Sequence, residues 1–151
     1  MSIDVEEPII FFNNEYNSLK NKKNENIDIY LSYFSYITKK SLILDYRFFK
    51  LIGNPNNYDF FLNYLMNQIE VLLTQIKLFD LYFNIETITL TEMDKYSTFF
   101  IKVAKLFSEK YPDCLQNFYI LGSGFMFDNM KNLFSFILPK KTREKIQFIP
   151  L

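Results

Sequence analysis

The chain has no histidine, no tryptophan, a single cysteine and no excess charge of either sign. Each shortage excludes something. Without histidine there is no Ser-His or Cys-His nucleophilic dyad, and the commonest metal ligand is missing. Cys114 alone can form neither an internal disulfide nor a zinc site of the usual kind. It reads as a small core or turn residue, and one cysteine fits a reducing compartment. A formal net charge of zero argues against a general nucleic-acid binder. No run approaches the roughly 18 apolar residues of a membrane-spanning helix. The acidic start MSIDVEEPIIFF lacks the basic stretch of a secretion signal. These absences predict a non-catalytic chain without cofactor or metal, cytoplasmic or peripheral to a membrane.

What is present is apolar and aromatic. Apolar residues make up 49% and aromatic ones 19% of 151 residues, enough for one domain around one core. The wealth of Asn, Lys, Ile, Tyr and Phe is that expected from an AT-rich coding genome, such as that of a parasite, a protist or a large DNA virus. A virion component is therefore one of the readings kept open.

Residues 1–26 read as an adapter segment in front of a domain at 27–151. Within it, residues 9–12 suit an edge strand or a surface dock, and 13–26 a polar loop or frayed helix. Residues 27–37 (IDIYLSYFSYI) alternate in polarity and predict a strand. Residues 41–52 fit strand or helix equally, and Gly53-Asn54-Pro55-Asn56-Asn57 is a loop. Residues 58–78 predict an amphipathic helix through Phe61, Leu62, Leu65, Ile69, Leu72, Leu73 and Ile76. Residues 79–85 (FDLYFNI) follow as a strand. Thr91 and Asp94 predict a capping pair for a helix over 94–110, burying Tyr96, Phe99, Phe100, Val103, Leu106 and Phe107. Lys110 suits that helix's C-terminus, and Tyr111-Pro112 ends it. Strands alternating with helices predict an α/β layered domain with a largely parallel sheet.

Residues 111–149 carry the most specific order of signals. Residues 117–121 (NFYIL) read as a covered strand, and Gly122-Ser123-Gly124 as a sharp turn. A phosphate-binding loop is considered and set aside. Phe127 stands where the dinucleotide fingerprint needs its third glycine, and no Gly-Lys-Ser/Thr follows. Phe127, Met130, Leu133, Phe134 and Ile137 keep helical spacing over 125–138, while Phe125 and Phe136 widen the apolar face. Pro139 stops that helix. Lys140, Lys141, Arg143 and Lys145 form a basic loop before a strand at 146–149. Asp80, Glu86, Glu92 and Asp94 lie near element ends, where caps explain them more simply than acid–base chemistry.

Taken together, Tyr111-Pro112-Asp113, the strand Phe118-Tyr119-Ile120-Leu121, the aromatic helix, Thr142 and Lys145-Ile146 resemble the C-terminal half of the CRAL-TRIO lipid-binding domain family. The resemblance runs over residues 80–149. It implies an α/β, CRAL-TRIO-like layered domain, its mostly parallel sheet flanked by helices. It also implies truncation at the C-terminus, since the family domain continues for a further helix and strand. The helix 125–138 would cover a cleft for a phospholipid or other hydrophobic ligand. Phe125, Phe127, Met130, Leu133, Phe134 and Ile137 would touch the tail, and Asp113 and Lys145 the head group. Two features depart from the family. The glycine expected after Phe79-Asp80-Leu81 is missing, and Gly122-Ser123-Gly124 replaces other small residues and a proline.

Lys140, Lys141 and Arg143 suit an anionic membrane surface at about 1 kcal/mol per charge, with a solvated loop as the plain alternative. The other functional class is a structural or protein-interaction module on the same fold, completed by a protein partner.

Overall fold

Short runs rich in branched and aromatic residues recur in four segments, and these become the parallel part of one sheet. The computed structural model of the chain describes residues 11–151, so residues 9 and 10 of the expected edge strand lie outside the described residues. In chain order the elements are α1 (Asn13–Asn21), α2 (Ile27–Phe34), β1 (Ser35–Ile37), β2 (Ser41–Asp45), α3 (Tyr46–Ile52), α4 (Tyr58–Leu73) and β3 (Phe79–Asn84). There follow α5 (Leu90–Lys95), α6 (Ser97–Lys105) with a π-helical turn Leu106–Lys110, and β4 (Leu115–Gly122). A 3-10 turn Gly124–Met126, α7 (Phe127–Ile137), α8 (Lys140–Arg143) and β5 (Ile146–Pro150) complete the list. The sheet order is β1-β2-β3-β4-β5, with β1 antiparallel to β2 and every other pair parallel.

That order has a consequence. Each new parallel strand is added on the same side, and parallel crossovers are right-handed. The crossover helices must then fall on one face of the sheet. Leu42, Leu44, Phe79, Leu81, Phe83, Phe118 and Ile120 accordingly share one core with the helices. The alternate residues Ile43, Tyr82 and Leu121 form a separate small cluster with Phe11, Tyr36, Tyr119 and Ile149. Burial pushes the Tyr82 hydroxyl up to about 12.

The main core is a stack of rings. Phe49 of α3 lies flat on Phe99 of α6, centroids 3.9 Å apart and planes 13° apart. Phe34 of α2 meets Phe61 of α4 edge-on at 5.1 Å. Such pairs add about 0.5–1.5 kcal/mol each beyond area burial. Tyr16 of α1 joins the same core, edge-on to Phe48 at 5.8 Å.

Several local expectations are corrected. Residues 27–34 are helical, leaving only Ser35–Ile37 as strand. Asn26 explains this: its side chain accepts from the Asp28 N–H at 3.0 Å and starts the helix. Tyr30, Leu31 and Phe34 are then buried, a helical spacing that alternation disguised. The ambiguous stretch 41–52 is both strand and helix, divided at Asp45, whose carboxylate accepts from the Arg47 N–H. The helix expected over 94–110 is interrupted at Tyr96, and its cap lies earlier. Thr89 and Glu92 form a reciprocal capping box instead of Thr91 and Asp94. The helix expected to run to residue 78 ends at Leu73.

The sharp glycine turn is also revised, because no described glycine has a positive φ. Gly122 instead ends β4, where a Cβ would stand 2.9 Å from Ile85 Cγ1. Close approach of the Ile85 side chain, not turn geometry, favours glycine there. Ser123 caps the following turn by accepting from the Phe125 N–H at 3.3 Å. The basic loop after Pro139 is a single helical turn, α8.

Candidate functional site

The site is built around α7. Met126, Met130, Phe134 and Leu138 are buried, one narrow stripe at four-residue steps. Phe127, Leu133 and Ile137 are half-buried on its flanks, and Phe127 packs on Phe148 of β5 at 5.1 Å. Phe125 and Phe136 stand in water, 81% and 86% exposed. Of the residues expected to touch a ligand tail, Met130 and Phe134 thus reach the interior, three lie at its margin and Phe125 is outside.

Beneath the stripe, α7 and α8 meet α6 and the sheet along an apolar seam. Phe134, Leu138 and Thr142 face Phe100, Ala104 and Phe107 across it, with Leu81 and Phe118 as its floor. The remaining void is about 20 Å³. A void of that size has room for about one water molecule, whereas ligand pockets run to about 300–1,000 Å³. The seam is therefore closed by the protein's own side chains.

A second space opens on the outer side of Phe134. It measures about 440 Å³ and lies between α7, α8 and β5. Phe134, Ile146 and Phe148 line it, with Lys131, Ser135, Lys140, Arg143 and Glu144 around them. Phe134 borders both spaces and is the partition between them.

The polar pair expected for a head group is arranged differently from a simple acid–lysine contact. Asp113 pairs with Lys141 of α8, whose hydrogen bond and charge hold the carboxyl below the usual carboxylate range, with a smaller pull from Lys145. Lys145 gives its ammonium to the Leu115 carbonyl at 2.5 Å. Nearby, the Tyr111 hydroxyl donates to Glu70 at 2.5 Å, and burial followed by that carboxylate pushes the phenol far up. Cys114 is half-buried, and burial raises its thiol as well.

Lys131, Ser135, Glu144, Ile146 and Phe148 were not expected as site residues from the sequence, where Ile146 entered only beside Lys145 in the family pattern. A signal was available for three of them. Lys131 and Ser135 are four apart on one helix face, and Lys140 and Glu144 repeat that spacing in the next turn. What was not available is the angle at Pro139 that brings the two turns around one space.

Among the described residues no group of three or more His, Cys, Asp or Glu is placed to hold a metal ion, and no helix is long and apolar enough to cross a membrane. The fold matches a solved one: the crystal structure of Sfh5 superposes with a TM-score of 0.66 at 18% sequence identity, covering 90% of this chain. The match covers 55% of that chain, so this sequence spans about half the length of the solved structure it is similar to. A search of curated proteins returns no match. The family model for the CRAL/TRIO domain matches residues 6–150. With the sheet, the helix layer and α7 in their places, the chain belongs to the CRAL/TRIO domain family, known for binding lipids and other hydrophobic ligands.

Proposed function

We infer that the chain binds a phospholipid or similar hydrophobic ligand by lifting α7 away from α6 and the sheet. The observation that supports this best is the chemistry of the seam: every side chain on both walls is apolar except Thr142. One narrow buried stripe with half-buried flanks holds α7 over it, while Phe125 and Phe136 already face water. An acyl chain in the opened seam would regain about 0.8 kcal/mol per methylene, which offsets the separation of Phe134 and Leu138. Lys145, beside Asp113, would serve a head group as a point charge once freed from the Leu115 carbonyl. Lys140, Lys141 and Arg143 with the exposed rings would meet an anionic membrane surface from the cytoplasmic side. The chain would carry its ligand without chemistry on it.

Delipidated protein, incubated with mixed phosphatidylcholine and phosphatidic acid vesicles and re-isolated, tests this by native mass spectrometry. A retained lipid is expected. A chain that takes up none would overturn the reading.

A second reading is a protein-interaction module, favoured by the closed seam and by β5, which lies at one end of the sheet order. In that case a partner strand would pair along β5. Loss of hydrogen–deuterium exchange at residues 146–150 on complex formation, without lipid uptake, would support it over the first.

A further inference from the structure

The cations around α7 and α8 fall into two groups. Lys141 is engaged by Asp113 and Lys145 by the Leu115 carbonyl. Lys131, Lys140 and Arg143 instead border the open space of about 440 Å³. Glu144 is the sole acid among its lining residues. It lies 3.9 Å from Lys140 in an exposed pair of the kind that contributes little. Arg143 reaches only the Ser135 carbonyl, at 3.5 Å. Lys131 makes no ion pair among the described residues. Three cations against one acid leave a clear positive excess over a floor of Phe134, Ile146 and Phe148.

A bare anion would satisfy the rim and leave the floor wet. A neutral acyl chain would cover the floor and leave the rim unmatched. A molecule with an anionic head directly joined to a hydrocarbon chain satisfies both. The space is within the usual size range for a ligand pocket. Guanidinium and ammonium groups together suit a phosphate, the first by its planar fork and the second as a point charge.

The geometry points to this space as the site for a phosphate-headed amphiphile, its head held by Lys131, Lys140 and Arg143 and its first methylenes on Phe134, Ile146 and Phe148. The inference rests on the hydrophobic-ligand reading above. It differs in placing the head between α7, α8 and β5, away from Asp113 and Lys145. Because Phe134 also walls the seam, the tail would continue toward α6 when that ring turns aside.

The test uses the full chain and three probes in isothermal titration calorimetry at low salt: oleoyl lysophosphatidate, oleoyl lysophosphatidylcholine and inorganic phosphate. The variant carries Lys131→Gln with Arg143→Gln, both exposed positions, and its thermal melt checks folding. Lysophosphatidate is expected to bind the wild type about tenfold or more tightly than the choline ester, and the variant about tenfold more weakly, as loss of charge-assisted hydrogen bonds implies. A variant that binds lysophosphatidate as well as the wild type would overturn the assignment. So would phosphate binding as tightly as lysophosphatidate. Equal binding of both amphiphiles sinks this site but keeps the hydrophobic-ligand reading, whereas no binding of either sinks both.

Discussion

Phe134 of α7 stands over Phe118 of β4, ring centroids 5.7 Å apart and planes 55° apart. The same ring separates the closed apolar seam from the open basic space. On the proposed binding route a ligand tail entering from outside would pass it, and Phe134 would set the rate of entry. Phe134→Ala removes the partition. Loss of a buried ring typically costs about 3–5 kcal/mol, and urea unfolding should show a loss of that order. Stopped-flow uptake of a fluorescent fatty acid should nevertheless be faster, with the milder Phe134→Leu falling between. Uptake at the wild-type rate in the folded Leu variant would mean that ligand does not enter past this ring.

Much of this arrangement was written in residue patterns. The runs 79–85, 117–121 and 146–149 gave three of the parallel strands, and the spacing from Phe127 to Ile137 gave α7. What local patterns missed depended on contacts or on single caps. The Asn26 cap and the burial of Tyr30, Leu31 and Phe34 go with helix α2 in a run whose polarity also alternates. Gly122 reads as a turn, but its reason is Ile85, 37 residues earlier in the chain and adjacent only after β3 and β4 pair. In the site, apolar spacing identified Met130 and Phe134, yet it could not tell a hollow from a filled seam. That depends on how Phe100 and Phe107 from another helix occupy the space.

Lys145 separates a structural role from a binding role. Its ammonium, half-buried, holds the Leu115 carbonyl at the start of β4. Lys145→Met keeps the stem and removes the donor. Hydrogen bonds to charged groups contribute about 1.5–3 kcal/mol, and partial exposure places the expected loss at the lower end. Chemical denaturation should record it, with affinity for lysophosphatidate nearly unchanged if the head lies at Lys131 and Arg143. A large loss of affinity with stability intact would instead assign the head group to Lys145.

Arg47 and Asp45 make the most deeply buried ion pair described. Arg47 Nε and Nη2 reach the two carboxylate oxygens at 3.0 and 2.8 Å, and the guanidinium lies 4.8 Å over the Tyr16 ring. Burial pushes the Asp45 carboxyl up, with the Arg47 bonds pulling against it. A carboxyl raised in the folded state favours folding below its unfolded value and loses that contribution as pH rises through the folded value. Arg47→Met removes the restraining partner and leaves the buried carboxylate uncompensated wherever it is ionised. Breaking a buried pair this way costs about 3–5 kcal/mol. The deficit should be larger at pH 7 than at pH 5, because lower pH favours the protonated Asp45 carboxyl, which needs no counter-ion. Urea titrations of both proteins at the two pH values check this, and a deficit independent of pH would show that lost packing on Tyr16 dominates.

Phe125 and Phe136 lie on solvent-facing parts of the segment whose other apolar residues are buried or half-buried. Neither ring appears among the aromatic pairs of the core, so neither is needed to hold α7 down. Replacing both with serine should therefore change stability by less than about 0.5 kcal/mol. Large exposed rings on the segment that leads into Lys140, Lys141 and Arg143 would, however, supply the two attractions of an interfacial surface, apolar insertion and anionic contact. Co-sedimentation with vesicles containing phosphatidic acid should fall in the double variant at constant salt. Raising the salt should weaken the wild type further toward the variant, because only the charge contribution is screened. If the double variant sediments with vesicles like the wild type, the rings do not touch the membrane and the surface contact belongs to the cations alone.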